Sequence, residues 1–71
     1  MDKSKLLGFI VDEMLMYSSL DQSTVLSASK LAEEDDVMFN LMNSWMKSEN
    51  NDDQLYIDDE ITERLKLLNL L

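Results

Sequence analysis

The chain has 71 residues, of which fifteen are acidic and six are basic, and its net charge at neutral pH is −9. It contains no histidine and no cysteine, which excludes the commonest general base, the commonest transition-metal ligand, thiolate ligands and disulfides. It has no proline and a single glycine, so turn-rich β folds and glycine-rich phosphate loops are disfavoured.

The charge and hydropathy also restrict the environment and the partners. An acidic chain repels phosphates and anionic lipids, so we expect no direct binding to nucleic acid or membranes. The N-terminal stretch superficially resembles a signal peptide, but Asp12 and Glu13 interrupt its apolar run and no small-residue cleavage site follows. No apolar run approaches the ~20 residues that span a bilayer. We therefore expect a cytoplasmic protein.

The first predicted helix covers about residues 4–17. Leu6, Ile10, Met14 and Tyr17 fall on one face, and further apolar residues cover most of the remaining circumference. Such a helix needs neighbours on several sides, more than a short chain can supply. We therefore expect self-association, most simply as a homodimer. The residues predicted to form this contact are Phe9, Ile10, Val11, Leu15 and Met16.

The second predicted helical region covers residues 23–48. Four consecutive acids, Glu33 to Asp36, would oppose the dipole at a helix C-terminus but would be stabilised in a first turn. Two alternatives follow: one helix over 23–48, or two helices with a break near 33–36. In either case Met38, Met42 and Trp45 form an apolar stripe that predicts helix over residues 37–47.

An acidic loop is predicted over residues 48–57. Residues 48–54 are polar and rich in turn formers, and residues 55–57 could form a short extended segment. The last helix is predicted over 58–70, because its acids come early and its bases, Arg64 and Lys66, come late. The fold is thus predicted to be all-α: a single domain over residues 1–71, forming a compact bundle of three to four short helices that self-associates.

Catalytic and metal-binding patterns are weak. A calcium loop of the EF-hand type beginning at Glu49 would place Gln54 where glycine is required and Ile57 where a ligand is expected. The carboxylate runs lie in hydrophilic stretches without the apolar surroundings that separate the pKa values of a catalytic pair. The serines have no histidine to activate them. We expect no enzymatic activity, no cofactor and no metal.

A binding role remains. The chain is predicted to be a regulator, inhibitor or adaptor that docks on a basic or mixed apolar–basic surface of a larger protein, with acids steering the encounter. Tryptophan and methionine are frequent at such contacts, although Trp45 suits the core equally well. The C-terminal leucines are further candidate anchors. The other residues predicted to contact the partner are Glu33, Glu34, Asp35, Asp36, Trp45, Met46, Asp52, Asp53, Asp58 and Asp59.

Two other functions fit the same sequence. The acids could mimic nucleic acid and block a DNA- or RNA-binding protein, because carboxylates on successive helical turns have a spacing comparable to that of backbone phosphates. Alternatively, the broad apolar surface of the first helix could make the chain a structural oligomer subunit or a small helical chaperone. Substitutions of acidic residues, compared with substitutions of apolar residues, would distinguish these two functions from the regulator described above.

Overall fold

Four helices make up the part of the chain that the computed structural model describes, residues 2–71. They are α1 (Lys3–Tyr17), α2 (Gln22–Ala32), α3 (Asp36–Lys47) and α4 (Asn51–Leu67). No strand occurs within these residues. The prediction of an all-α bundle of three to four short helices is confirmed, with four.

The start of every helix is set by a capping side chain. The residue before each helix is an aspartate or asparagine whose side-chain oxygen accepts a hydrogen bond from a backbone N–H in the first turn, a group that the helix itself cannot satisfy. Asp2 accepts from Lys5 at 2.9 Å, Asp21 from Thr24 at 2.8 Å, Asp35 from Met38 at 3.2 Å and Asn50 from Asp53 at 2.8 Å.

Region 23–48 is two helices. α2 ends at Ala32, Glu33 and Glu34 form the turn, and Asp35 caps α3. Of the two alternatives, the one with a break near 33–36 is therefore correct. The break is favourable because it places Asp35 and Asp36 at the N-terminal end of α3, where the helix dipole stabilises negative charge, rather than at the negative end of a longer α2.

The predicted loop over 48–57 is wrong for most of its length. Only residues 48–50 separate α3 from α4, and residues 55–57 are helical rather than extended. α4 begins at Asn51 because Asn50 caps it and Asp52 and Asp53 lie in its first turn, where the helix dipole stabilises negative charge. α4 ends at Leu67 rather than at residue 70, because Asn69 adopts a left-handed conformation with φ of 59° that turns the chain out of the helix.

The core is formed by one apolar face of each helix. Its buried members are Leu7, Ile10 and Met14 of α1, Val25, Ala28 and Ala32 of α2, Met38, Met42 and Trp45 of α3, and Ile61 and Leu65 of α4. α2 contributes the small side chains, and it packs against all three other helices. Small side chains let α2 approach its neighbours closely, because the distance between two packed helices depends on the size of the side chains at their contact.

The backbones of the two terminal helices pack on the central α2–α3 pair and not on each other. No Cα atom of α1 comes within 8 Å of a Cα atom of α4 in the described part of the chain. The molecule measures 30 × 28 × 19 Å, and its thinnest dimension corresponds to about two layers of helices, each about 10 Å across. Within residues 2–71 no helix combines the length and apolarity needed to cross a bilayer.

Candidate functional site

A cleft lies where the C-terminal ends of α1 and α3 meet the first half of α4. It has two parts, of about 460 and 250 Å³, that share Tyr17, Asn51 and Gln54. The larger part is also lined by Glu13, Trp45 and Met46, and we call it the Trp45 part. The smaller part is also lined by Ser18, Ser19, Leu55 and Asp58, and we call it the Asp58 part. Together they form the α1–α4 cleft.

Asp58 is the most unusual residue of the cleft. It is only 2% exposed, and its Oδ2 atom accepts two hydrogen bonds from Ser19: one from the backbone N–H at 3.1 Å and one from the hydroxyl at 2.7 Å. Its Oδ1 atom is buried and has no hydrogen-bond partner within residues 2–71. Among the described residues that line the cleft, none is lysine or arginine. A buried carboxylate oxygen without a donor or counter-ion is costly, which makes this oxygen a candidate ligand-binding atom.

Trp45 lies in the core and also lines the cleft. Its side chain is 2% exposed, and the indole N–H has no partner in residues 2–71. The Gln54 side-chain amide donates to the Trp45 backbone carbonyl at 3.3 Å, which ties α4 to the end of α3. The prediction that Trp45 is a contact anchor is corrected, because its ring packs with Met38 and Met42 inside the protein.

Three large apolar or aromatic side chains lie along the cleft beside polar groups such as Asn51 and Gln54. Tyr17 and Leu55 are 68% and 51% exposed, and Met46 is half-buried beside them. The lining thus combines these apolar groups with Trp45 and Asp58, whose indole N–H and Oδ1 atom are buried without hydrogen-bond partners in residues 2–71. A few polar groups in apolar surroundings are typical of sites that fix the orientation of a bound group. Met46 remains a candidate contact residue in the cleft.

The predicted contact acids of α4 fall into two groups. Asp52, Asp53 and Asp59 are exposed, as steering charges must be, and Asp53 also accepts a hydrogen bond from the Asn50 side chain at 2.9 Å. Asp58 is buried and accepts hydrogen bonds from Ser19, so it is not an exposed steering charge, and its contact with a partner stays a prediction.

The predicted acids between α2 and α3 do not line the α1–α4 cleft. Glu33, Glu34 and Asp36 are exposed. Asp35 is instead held by Arg64, whose Nε and a terminal nitrogen donate to the two carboxylate oxygens at 2.8 and 2.9 Å. These hydrogen bonds hold the pKa of Asp35 below its ordinary value. Because its charge is already paired with Arg64, Asp35 is less suited to steer a partner than the three exposed acids, and its contact with a partner stays a prediction.

The predicted self-association surface is also divided. Phe9, Leu15 and Met16 are exposed on the outer side of α1. Ile10 is fully buried and Val11 packs partly against the core. Ile10 follows the same helical face as Leu7 and Met14, so it cannot contact a second copy, and its assignment to the self-association surface was wrong.

Sequence reasoning did not identify several residues of the cleft: Tyr17, Ser18, Ser19, Asn51, Gln54 and Leu55. Ser19 and Asp58 are 39 residues apart, and no local pattern connects them. The one available signal was Asn50 three residues before Asp53, a capping pattern that places the start of a helix at this point.

Neither metal-binding geometry nor similarity to other proteins assigns a function to the cleft. Within residues 2–71, no group of three or more carboxylates is arranged so that it could hold a metal ion. The cleft and the charge around it are therefore the features of the molecule that bear on its function. Comparison with protein-family models, with curated protein sequences and with solved structures finds no significant match to this chain.

Proposed function

We propose that this chain is a small acidic regulator or adaptor that binds a larger protein on a basic or mixed apolar–basic surface. The observation that carries the proposal is the α1–α4 cleft, which is lined by the exposed side chains of Tyr17 and Leu55 and by Asp58, whose buried Oδ1 atom has no hydrogen-bond partner in residues 2–71. A basic surface with apolar neighbours is complementary to both features. A cytoplasmic location belongs to the same proposal.

The distribution of charge supports a basic partner. Residues 49–63 carry seven acids and no base, and they include the exposed Asp52, Asp53 and Asp59 near the beginning and middle of α4. Charge of one sign around a binding site raises the rate of encounter with an oppositely charged surface. The acids thus steer the approach, and the cleft provides the contact.

The test measures how fast the chain binds its partner at different salt concentrations. The partner is first captured from the native host with the unaltered chain and identified. The association rate is then expected to fall about tenfold or more between ionic strengths of about 0.05 and 0.5 M, since salt screens charge steering. An association rate that does not change with salt would contradict the proposal.

A pair of double variants locates the docking surface. Asp52→Asn with Asp59→Asn removes two exposed acids of α4, and Glu33→Gln with Glu34→Gln removes two exposed acids elsewhere. Both change the net charge equally. The α4 pair is expected to slow association more, because its charges lie on the helix that lines the cleft. Equal effects would mean that the cleft is not where the partner docks.

The alternatives give different results in the same experiment. A nucleic-acid mimic would lose its partner to added DNA or RNA. An oligomer subunit or chaperone would be insensitive to charge variants but would lose binding on Phe9→Asp or Met16→Asp, which alter the exposed side of α1. Ile10→Asp is unsuitable for this purpose, because a charge at a fully buried position unfolds the protein.

A further inference from the structure

We infer that the Asp58 part of the α1–α4 cleft binds the terminal ammonium or guanidinium group of a lysine or arginine side chain of the partner protein. This inference rests on the proposed function and identifies the group that the cleft recognises. The central contact is a charge-assisted hydrogen bond from the cationic N–H group to Asp58 Oδ1, the buried oxygen that has no donor among residues 2–71.

The two oxygens of Asp58 have different surroundings. Oδ2 is saturated by the Ser19 amide and hydroxyl, at 3.1 and 2.7 Å, and these bonds fix the orientation of the carboxylate. Oδ1 is buried and has no hydrogen-bond partner among residues 2–71, and Asp58 is one of the residues that line the cavity. A carboxylate held in this way is preorganised, because a bound cation gains its hydrogen bond without having to order the side chain.

The other lining groups favour a cation with N–H donors. Gln54 uses its amide nitrogen on the Trp45 carbonyl, so its side-chain oxygen is the polar atom left for a ligand. Asn51 supplies a second amide, and the rings and methyl groups of Tyr17 and Leu55 suit the methylene stem of a long basic side chain. Lysine and arginine combine such a stem with several donors at its end.

The size of the cavity is consistent with one side chain. The Asp58 part has a volume of about 250 Å³, enough for a single aliphatic stem with its charged end. A cavity this small holds no larger element of a partner. The adjoining Trp45 part of the cleft is left for neighbouring groups of the same partner.

The first arm of the test uses the unaltered chain labelled with ¹⁵N and four small probes at constant ionic strength. n-Butylammonium and n-propylguanidinium carry the two candidate end groups. n-Butyltrimethylammonium has the same charge but no N–H donor, and 1-butanol has no charge. We expect saturable shifts of the Ser19 amide resonance with the first two probes only. Whichever of these two probes binds with the higher affinity identifies lysine or arginine as the preferred side chain. Equal shifts with n-butyltrimethylammonium would overturn the inference, because charge alone would then explain binding.

The second arm compares Asp58→Asn with Asp59→Asn. The variants change the net charge equally, but Asp59 is exposed and lies outside the cleft lining. Losing a hydrogen bond to a buried charged group should weaken probe binding about tenfold or more in Asp58→Asn, whereas Asp59→Asn should stay within about twofold because exposed charges interact weakly. Equal effects of the two variants would refute the inference. If Asp58→Asn does not fold, the comparison of probes on the unaltered chain still decides.

The same variants separate this inference from the proposed function. If Asp58→Asn binds the captured partner as well as the unaltered chain does, and association still depends on salt, the proposed function stands and the inference fails. If the partner binds without any dependence on salt while the N–H probes still bind at Asp58, the proposed function fails and the cation site remains.

Discussion

Replacing Phe9 and Ile10 in turn by alanine tests the assignment of the two sides of α1. The residues are adjacent in sequence, but Ile10 is fully buried and Phe9 is 55% exposed. Removing a buried isoleucine side chain down to alanine costs about 3 kcal/mol, because it forfeits apolar burial and leaves a cavity. Unfolding a chain of this length has an entropy of about 0.15 kcal/mol per kelvin, so the expected loss for Ile10→Ala is about 20 °C in Tm.

The change at Phe9 should be much smaller. Full burial of a phenylalanine contributes about 2 kcal/mol, and less than half of this side chain is covered, so about 1 kcal/mol is lost. Alanine regains about 0.5 kcal/mol through its higher helix propensity. The net effect of Phe9→Ala is therefore about 0.5 kcal/mol, or about 3 °C in Tm.

Thermal and urea unfolding followed by circular dichroism at 222 nm measures both variants. Fluorescence of Trp45, the single tryptophan, provides a second signal from the same core cluster. Each melt is repeated at two protein concentrations, because a contact between two copies makes Tm depend on concentration. A Phe9→Ala loss as large as that of Ile10→Ala, at every concentration, would refute the assignment of the buried and exposed sides of α1.

Three further substitutions test local features of the fold. Gly8→Ala should raise Tm by about 5 °C, because alanine stabilises a helix interior by about 0.8 kcal/mol over glycine, and a Cβ atom there would meet no other atom within 4 Å; a lower Tm would mean that the site is crowded. Asn50→Ala removes the cap of α4 and should lower Tm by about 7 °C, corresponding to about 1 kcal/mol; an unchanged Tm would show that the cap is not needed. Asp35 has a pKa lowered from its ordinary value of 3.8, so its contribution to stability is fully present above that pH and is lost as pH falls through the lowered pKa. Asp35→Asn should therefore flatten the dependence of Tm on pH below about 4 relative to the unaltered chain, and identical curves would contradict the role of the pair with Arg64.

The helices were predictable where apolar spacing and charge order agreed. Met38, Met42 and Trp45 are spaced for one face of α3, and they form that face. The start of α4 was missed because Asn50, Asp52 and Asp53 are favourable both in a loop and in a helix first turn. Composition alone does not decide between these states; the decisive interaction is the hydrogen bond from the Asp53 N–H to the Asn50 side chain.

The site was less predictable than the fold. Asp58 belongs to a run of acids that resembles solvent-exposed charge, and its burial depends on Ser19, which precedes α2. Trp45 fitted a core position and a contact position equally well by spacing, and only the packing of α1 and α4 around α3 distinguishes them. Contacts between distant segments depend on how the helices are arranged, which local periodicity does not specify.

The separation of α1 from α4 has a dynamic consequence. Because the backbones of α1 and α4 do not pack together, the end of α1 is tied to α4 through the segment that follows it, where the Ser19 N–H and hydroxyl donate to Asp58. Opening at this seam breaks these two hydrogen bonds without breaking a backbone contact between α1 and α4, so we expect local opening of the bundle to begin here. Exchange of the Ser19 amide proton with solvent would report each such opening, and a bound cation that bridges the seam would slow it.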